Sequence, residues 1–147
     1  MEDGLNIKTI AMRRLTIMSI LSEVYPWIKN HYGRSVHKRQ FPSIKYDTNI
    51  YARLSGNPLA DGENSETIEG EYDRETNTIY LYYPNIKDEL GLIRVMLHEY
   101  KHYLQSSTWM KRYYDMGYNY KNHPYEIAAS EEEKLAETVQ VLTQLEY

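Results

Sequence analysis

The residues best suited to chemistry in this 147-residue chain lie in segment 97–102, which reads Leu-His-Glu-Tyr-Lys-His. Histidines four positions apart on a helix lie on one face, one turn apart, where both imidazoles can bind the same tetrahedral metal ion. Glu99 follows the first histidine and can take a proton from a metal-polarised water without ligating the metal itself. The segment therefore predicts a metal-dependent hydrolase, with His98 and His102 as ligands and Glu99 as the general base.

Two histidines hold zinc weakly, so a third protein ligand is expected, with the fourth position left for water. The chain has no cysteine, so this ligand must be a histidine or a carboxylate. The residue types leave several candidates downstream of the motif: Asp115, His123, Glu126, Glu131, Glu132, Glu133 and Glu137. The alternative interpretation is an ordinary helix with two solvent-exposed histidines.

The chain before the motif predicts one helix and then a small sheet. Apolar residues recur at helical spacing between Leu5 and Ile28, so we expect an amphipathic helix that Pro26 breaks or kinks and Gly33 ends. From residue 41 the pattern alternates as in half-buried strands, with a hairpin loop at Asp73–Asn77. The predicted strands cover residues 43–46, 50–54, 67–72 and 78–83.

The motif lies within a second predicted helix. Its apolar stripe runs from Leu90 to Leu104, so the helix is expected to extend to about Ser107, with Asn85 as its N-cap. The tyrosine-rich stretch 109–122 is expected to be irregular, and Pro124 is well placed in the first turn of a last helix. The order helix, sheet, helix, loop and helix predicts a single α+β domain over residues 1–147.

This order of elements and the His-Glu-x-x-His motif resemble the gluzincins, a family of zinc metallopeptidases, in their smallest single-domain form. Segment 123–129 is similar to the Pro-x-Glu-x-x-Ala pattern of many small bacterial and phage zincins. The resemblance implies a zincin-like fold, peptidase activity, one Zn²⁺ per chain, and Glu126 as the third ligand. It also implies an acid four residues after that ligand, to orient a ligating imidazole; Ser130 stands at this position, with Glu131 next to it.

A peptidase also needs hydrogen-bond donors for the oxyanion of the transition state. His123, Tyr118 and Tyr120 are candidates, since they lie in or beside the segment between the two ligand-bearing helices. Gln105 is a weaker candidate for the lining of the site. The resemblance further implies that an edge strand of hairpin 68–83 pairs with an extended peptide substrate.

The composition narrows the classes of partner. The formal charge of −4 argues against a sequence-independent nucleic-acid binder, and the short basic clusters at 13–14 and 38–39 are expected to be solvated faces. Basic residues interrupt the first apolar stretch, so no signal peptide or membrane span is predicted and a soluble, cytoplasmic protein is expected. The expected partner is a protein or peptide substrate, without nucleic acid or membrane; the oligomeric state is not predicted.

Two features leave alternatives open. The 16 tyrosines beside 1 phenylalanine either replace phenylalanine in the core or line a substrate groove. The alternatives to a peptidase are a zincin-like hydrolase of another substrate and a catalytically idle metal-binding or interaction domain. The presence of Glu99 argues against an idle domain, because a purely structural metal site needs no general base.

Overall fold

A computed structural model describes residues 13–49, 53–54 and 68–144 of the chain. These residues form an α+β fold, as predicted, in which a small mixed sheet packs against the helix that carries the histidines. None of the helices in these ranges is long and apolar enough to cross a membrane. The helices are α1 (Arg14–Tyr32), α2 (Glu89–Leu104), α3 (Ser107–Asp115), α4 (Pro124–Glu132) and α5 (Ala136–Gln144); the strands are β1 (Ser43–Asp47), β2 (Gly70–Asp73) and β3 (Thr78–Tyr82).

The first helix runs unbroken through Pro26; of the two predicted outcomes, a break or a kink, the break is wrong. A proline removes one N–H group and crowds the preceding turn. Val24 and Ile28, which are 1% and 0% exposed, pack into the core on either side of Pro26 and hold the helix together. Gly33 ends the helix as predicted, with a φ of 76° that a residue without Cβ adopts easily. Residues 1–12 of the predicted helix lie outside the described residues.

The central strand of the sheet is β3, which pairs in parallel with β1 and antiparallel with β2. A turn at residues 74–77 joins β2 to β3, as the hairpin prediction requires. Asp73 closes it, because its Oδ1 accepts the backbone N–H of Glu75 at 2.9 Å and of Thr76 at 3.4 Å. The described part of each of these three strands agrees with its predicted bounds to within two residues.

The predicted strand 50–54 is wrong where it can be compared. Residues 50–52 lie outside the described ranges, and Arg53 and Leu54 have helical backbone, with Arg53 N–H donating to Asn49 O at 3.1 Å. The guanidinium of Arg53 forms ion pairs with Glu71 at 3.1 Å and with Asp73 at 2.9 Å. Arg53 therefore contacts β2 through the ion pairs of its side chain and not through backbone hydrogen bonds of a β-strand.

Both ends of α2 differ from the prediction. Asp88, not Asn85, is the N-cap, and its Oδ1 accepts Gly91 N–H at 2.7 Å. Asn85 lies in a 3₁₀ turn that delays the start of the helix, and its amide donates to Ile68 O at 2.7 Å. The helix ends at Leu104 because Ser106 caps the next one, accepting Trp109 N–H at 3.3 Å.

The tyrosine-rich stretch is helical over its first half, so the prediction of irregular structure is wrong for residues 109–115. Helix α3 buries none of its residues. It is held by its serine cap, by an exposed ion pair between Lys111 and Asp115 at 2.7 Å, and by aromatic contacts. Tyr113 packs against His123 and Tyr125 of the following segment, with ring centroids 5.3 and 5.6 Å apart.

The core forms where α1, α2, α5 and the sheet meet, and tyrosines supply much of it. Two of them in α2 use their hydroxyls to hold the chain between α1 and β1: Tyr100 donates to Gly33 O, and Tyr103 accepts Ser35 N–H at 3.1 Å and donates to Gln40 O at 2.9 Å. Here tyrosine fills phenylalanine's place in the core while also satisfying buried backbone groups.

Replacing Tyr103 with phenylalanine should lower the free energy of unfolding by about 1–3 kcal/mol, because a buried N–H and a carbonyl lose their partner while the packing volume stays the same. Urea denaturation measures the change. The control is Tyr114→Phe at an exposed position, where the effect should stay within about 0.5 kcal/mol. Equal stabilities for the two variants would contradict the role assigned to the Tyr103 hydroxyl.

Candidate metal centre

Helix α2 presents the two histidines of the motif on one face. The face that carries Ile93, Leu97 and Tyr100 is fully inaccessible to solvent, so packing sets the rotation of the helix. The rings of His98 and His102 lie 5.0 Å apart between centroids and are inclined at 72°. Both side chains are mostly buried but reach a cavity, which is the position that a metal ligand needs.

Helix α4 brings Glu126 to the same place. Pro124 occupies the first turn, as predicted, since its fixed φ suits the start of a helix and its missing N–H is not needed there. Glu126 Oε1 then lies 2.9 Å from His102 Nε2 and 3.3 Å from His98 Nε2. The potential ligand atoms of the three residues all lie within 4.8 Å of one another, so this group could hold a metal ion.

The separations suit a small tetrahedral ion. Bonds of about 2.0–2.1 Å place neighbouring ligand atoms roughly 3.3 Å apart around tetrahedral zinc. The two distances from Glu126 Oε1 to the imidazole nitrogens, 2.9 and 3.3 Å, are close to that value. The donor set of two imidazoles and one carboxylate also leaves the fourth position open, as in catalytic rather than structural zinc sites.

Hydrogen bonds on the far side of each imidazole fix its tautomer. His98 Nδ1 lies 2.8 Å from Glu133 Oε2, and an ionised carboxylate only accepts, so Nδ1 carries the proton. His102 Nδ1 lies 2.7 Å from Gln105 Oε1, whose amide is oriented by donation from its Nε2 to Tyr125 O at 3.0 Å. Both Nε2 atoms therefore face the Glu126 carboxylate, and three such atoms that converge in this way require a proton or a metal cation between them.

Glu133 and Gln105 were not assigned this role from the sequence. Glu133 was one of several possible ligands, and Gln105 was only a weak candidate for the lining. Ser130, the residue expected to orient an imidazole, is exposed on α4, and the structure gives the contact with His98 to Glu133 instead. The reason is the 3₁₀ turn Glu133–Leu135 directly after α4, which carries Glu133 back to α2. The i,i+3 spacing of His102 and Gln105 is a signal that could have identified the second contact.

We expect Glu133→Gln to weaken zinc binding roughly 10- to 100-fold, the usual cost of disturbing the partner of a ligating imidazole. The neutral amide accepts a weaker hydrogen bond and no longer favours the metal-bound ring electrostatically. Competition with a chromophoric chelator measures the affinity. Ser130→Ala is the matched control and should bind zinc like the wild type; an effect at Ser130 but not at Glu133 would contradict this assignment.

Glu99 lies beside the three candidate ligands without joining them. Its Oε1 accepts Tyr72 N–H of β2 at 2.9 Å, and its Oε2 is 4.0 Å from His98 Nε2. Strand β2 can approach α2 this closely because residue 70 is glycine: a Cβ there would lie 2.6 Å from Val95 Cγ1. The sheet therefore orients the proposed general base through a backbone hydrogen bond.

Burial and mutual charge shift the pKa values of these side chains. Burial raises the pKa of Glu99 to about 7, although the charges of His102 and His98 oppose it. Burial alone would raise the pKa of Glu126 and lower that of His98. Hydrogen bonds outweigh burial in both: those from His102 and His98 lower the pKa of Glu126 to about 2, and those to Glu126 and Glu133 raise the pKa of His98 to about 10. A metal ion bound to these residues would displace the proton on His98.

Two adjoining cavities open at the centre. The larger, of about 450 Å³, is called the metal cavity below; the smaller, of about 260 Å³, is the side cavity. Both are bordered by His98, Glu99 and Tyr120. The metal cavity is lined by Ile68, Gly70, Glu71, Tyr72, Arg74, His98, Glu99, His102, Met110, Tyr120 and Glu126.

Of the three residues predicted to contact an oxyanion or substrate, the structure brings only Tyr120 to the cavities. His123 is fully buried, and both ring nitrogens are engaged: Nε2 donates to Met110 O at 2.9 Å, and Nδ1 accepts Tyr125 N–H at 3.0 Å. It serves as the N-cap of α4. Tyr118 packs edge-on against Tyr113 and does not line either cavity.

Comparison with protein-family models, with curated proteins and with solved structures finds no match for this chain. The function must therefore be inferred from the chemistry of the site itself.

Proposed function

We propose that the chain is a zinc-dependent peptidase with a zincin-like fold, in which His98, His102 and Glu126 hold the metal. One observation carries the proposal: both imidazoles donate outward through Nδ1 and turn Nε2 toward a single carboxylate oxygen. A carboxylate that is not a ligand, Glu99, borders the same cavity. This combination supports hydrolysis better than a structural metal site.

Zinc is the metal that the donor set favours. Two imidazoles and one carboxylate in a tetrahedral arrangement with an open position are typical of catalytic zinc. When bound, zinc would polarise the scissile carbonyl and acidify a water molecule. The remaining steps depend on the side chains of the chain.

Glu99 acts as the base and then as the acid. Its carboxylate takes a proton from the attacking water and later passes that proton to the leaving amine. Burial raises the pKa of Glu99 in the metal-free chain, and a cation bound beside it would lower that pKa, which favours the carboxylate form that takes the proton. The hydrogen bond from Tyr72 N–H holds one oxygen and leaves the other directed toward His98.

Tyr120 is the proposed donor to the oxyanion. The residue is 64% exposed as a whole but borders both cavities, and partial desolvation together with the charges of Glu126 and Glu99 raises the pKa of its hydroxyl. The hydroxyl therefore stays protonated at neutral pH and can donate a hydrogen bond.

Strand β2 is the proposed binding edge for an extended peptide. Among the described residues, β3 is its only strand partner, and three of its residues, Gly70, Glu71 and Tyr72, line the metal cavity. A peptide laid along this edge would pass the candidate ligands and Glu99. A cleft bounded by an edge strand suits a peptide better than a compact small molecule.

The test is zinc-dependent cleavage of an unfolded protein. The purified chain is stripped with a chelator, reloaded with zinc, and incubated with casein and with a mixture of synthetic peptides. We expect cleavage by the zinc-loaded protein only, lost on renewed chelation and restored by zinc. If the chain binds one equivalent of zinc but cleaves no substrate, the proposal of a peptidase is rejected and a metal-binding domain remains. If the chain does not bind zinc, the proposed metal site is rejected as well.

A further inference from the structure

Arg74 is a charged side chain in the metal cavity that the chemistry above does not use. It lies in the turn after β2, and it lines the metal cavity together with the candidate ligand residues His102 and Glu126. Nη1 donates to Gln105 O at 3.0 Å. Nη2 is shielded from solvent and has no hydrogen-bond partner in the part of the chain that the structure describes.

An unpaired, shielded guanidinium nitrogen is costly, and buried arginines are normally paired with an anion. No carboxylate of the described residues lies within ion-pair distance of Arg74. The side chain remains charged at any physiological pH. Its other contact is with the ring of Tyr72, whose centroid lies 5.7 Å from Cζ. The hydrogen bond to Gln105 O helps to hold the residue that lies behind His102, but it uses Nη1 alone. That structural role gives Nη2 no partner.

We infer that Arg74 binds a carboxylate of the substrate in the metal cavity. The planar fork of a guanidinium matches a carboxylate in geometry and charge, and a bidentate pair would supply the partner that Nη2 lacks. The carboxylate belongs either to the C-terminus of a peptide or to an aspartate or glutamate near the scissile bond. This inference rests on the proposed function, because it describes what that peptidase selects.

The other arginine near the site differs in its surroundings. Arg94 is exposed and borders the side cavity, which also contains Glu69 and Glu133. Arg94 also forms no ion pair within 4.0 Å among the described residues, but solvent surrounds its side chain, and its charge lowers the pKa of Glu69, although burial raises that pKa overall. Arg94 is therefore a matched control for Arg74: it is the same residue type at the neighbouring cavity, but it is exposed to solvent and not shielded from it.

The experiment compares peptide pairs that differ only in one carboxylate. One set has blocked ends and carries Glu or Gln in turn at each position around the cleavage site; the other has a free or amidated C-terminus. We expect the wild type to prefer the acidic member of one set, which identifies the source of the carboxylate. Arg74→Gln should lower kcat/KM for the preferred peptide roughly 30-fold or more, to the level of its neutral partner, and leave the neutral partner within about twofold. Arg94→Gln should retain the preference.

Three results would overturn the inference: a wild type without preference, a loss in Arg74→Gln that is equal for both members of a pair, or a preference abolished by Arg94→Gln. Zinc affinity is measured on the same variants. If Arg74→Gln also loses affinity for zinc, the role of Arg74 is to hold Gln105 and, through it, His102 in place. This result would also overturn the inference.

Calorimetric binding of the same peptides to zinc-loaded protein separates this inference from the proposed function. If no peptide is cleaved but the acidic member binds in an Arg74-dependent manner, the peptidase is rejected and the carboxylate site stands. If peptides are cleaved without an Arg74-dependent preference, the peptidase stands and the carboxylate site is rejected.

Discussion

Replacing Glu126 with alanine should abolish tight zinc binding. We expect one zinc per chain in the wild type and a zinc dissociation constant at least about 100-fold higher in the variant. This effect is larger than the one expected from replacing Glu133, which only hydrogen-bonds to a ligating imidazole. The reason is geometric: Glu126 Oε1 is the atom toward which the Nε2 atoms of both histidines point, at 2.9 and 3.3 Å. Without it only two protein ligands remain, and two imidazoles hold zinc weakly.

Metal content by mass spectrometry on untagged protein, followed by chelator competition, measures this effect. The matched control is Glu131→Ala on the same helix, where the carboxylate is exposed and pairs with Lys134 at 2.7 Å. This variant should keep its zinc. Retention of zinc by Glu126→Ala would move the third ligand elsewhere, and Glu133, already beside His98, would be the next residue to replace.

Replacing Glu99 with glutamine should remove catalysis and preserve the metal. We expect kcat to fall about 10²- to 10⁴-fold, the range typical for loss of a general base. Glutamine has nearly the same shape, and its amide oxygen can still accept Tyr72 N–H, so the position of β2 over α2 should be unchanged. Only the ability to take a proton from water is lost.

Zinc content, thermal stability and the cleavage rate are measured together on this variant. Glu137→Gln on the exposed face of α5 removes a carboxylate away from the cavities and should leave all three properties unchanged. A Glu99→Gln protein that keeps its zinc and cleaves at the wild-type rate would exclude Glu99 as the base. A variant that loses zinc as well would indicate that Glu99 contributes to the metal site itself.

Much of this architecture was predictable because it depends on local patterns. The helical spacing of apolar residues located α1 and α2, alternation located β1 and β3, and the chemistry of turn residues located the β2–β3 turn. The i,i+4 spacing of His98 and His102 placed both imidazoles on one helix face before any fold was known. Such patterns act over a few residues, so the sequence carries them directly.

Predictions failed where local preferences compete. Asn85 and Asp88 are both acceptable N-caps, and the 3₁₀ turn decided between them. Pro26 disfavours a helix locally, yet burial of its neighbours outweighs that cost. Such outcomes depend on free-energy differences of about 1–3 kcal/mol that packing supplies.

The sequence by itself determined the residue types of the centre: two histidines one turn apart, an adjacent glutamate, and carboxylates as the available third ligands. Only the tertiary structure decided which of those carboxylates meets the histidines, because α4 must fold back onto α2 to place Glu126 there. The same packing brought Glu133 to the far side of the His98 imidazole and left Nη2 of Arg74 without a hydrogen-bond partner among the described residues. Contacts between residues distant along the chain depend on how whole elements pack, and no spacing within a single element encodes them.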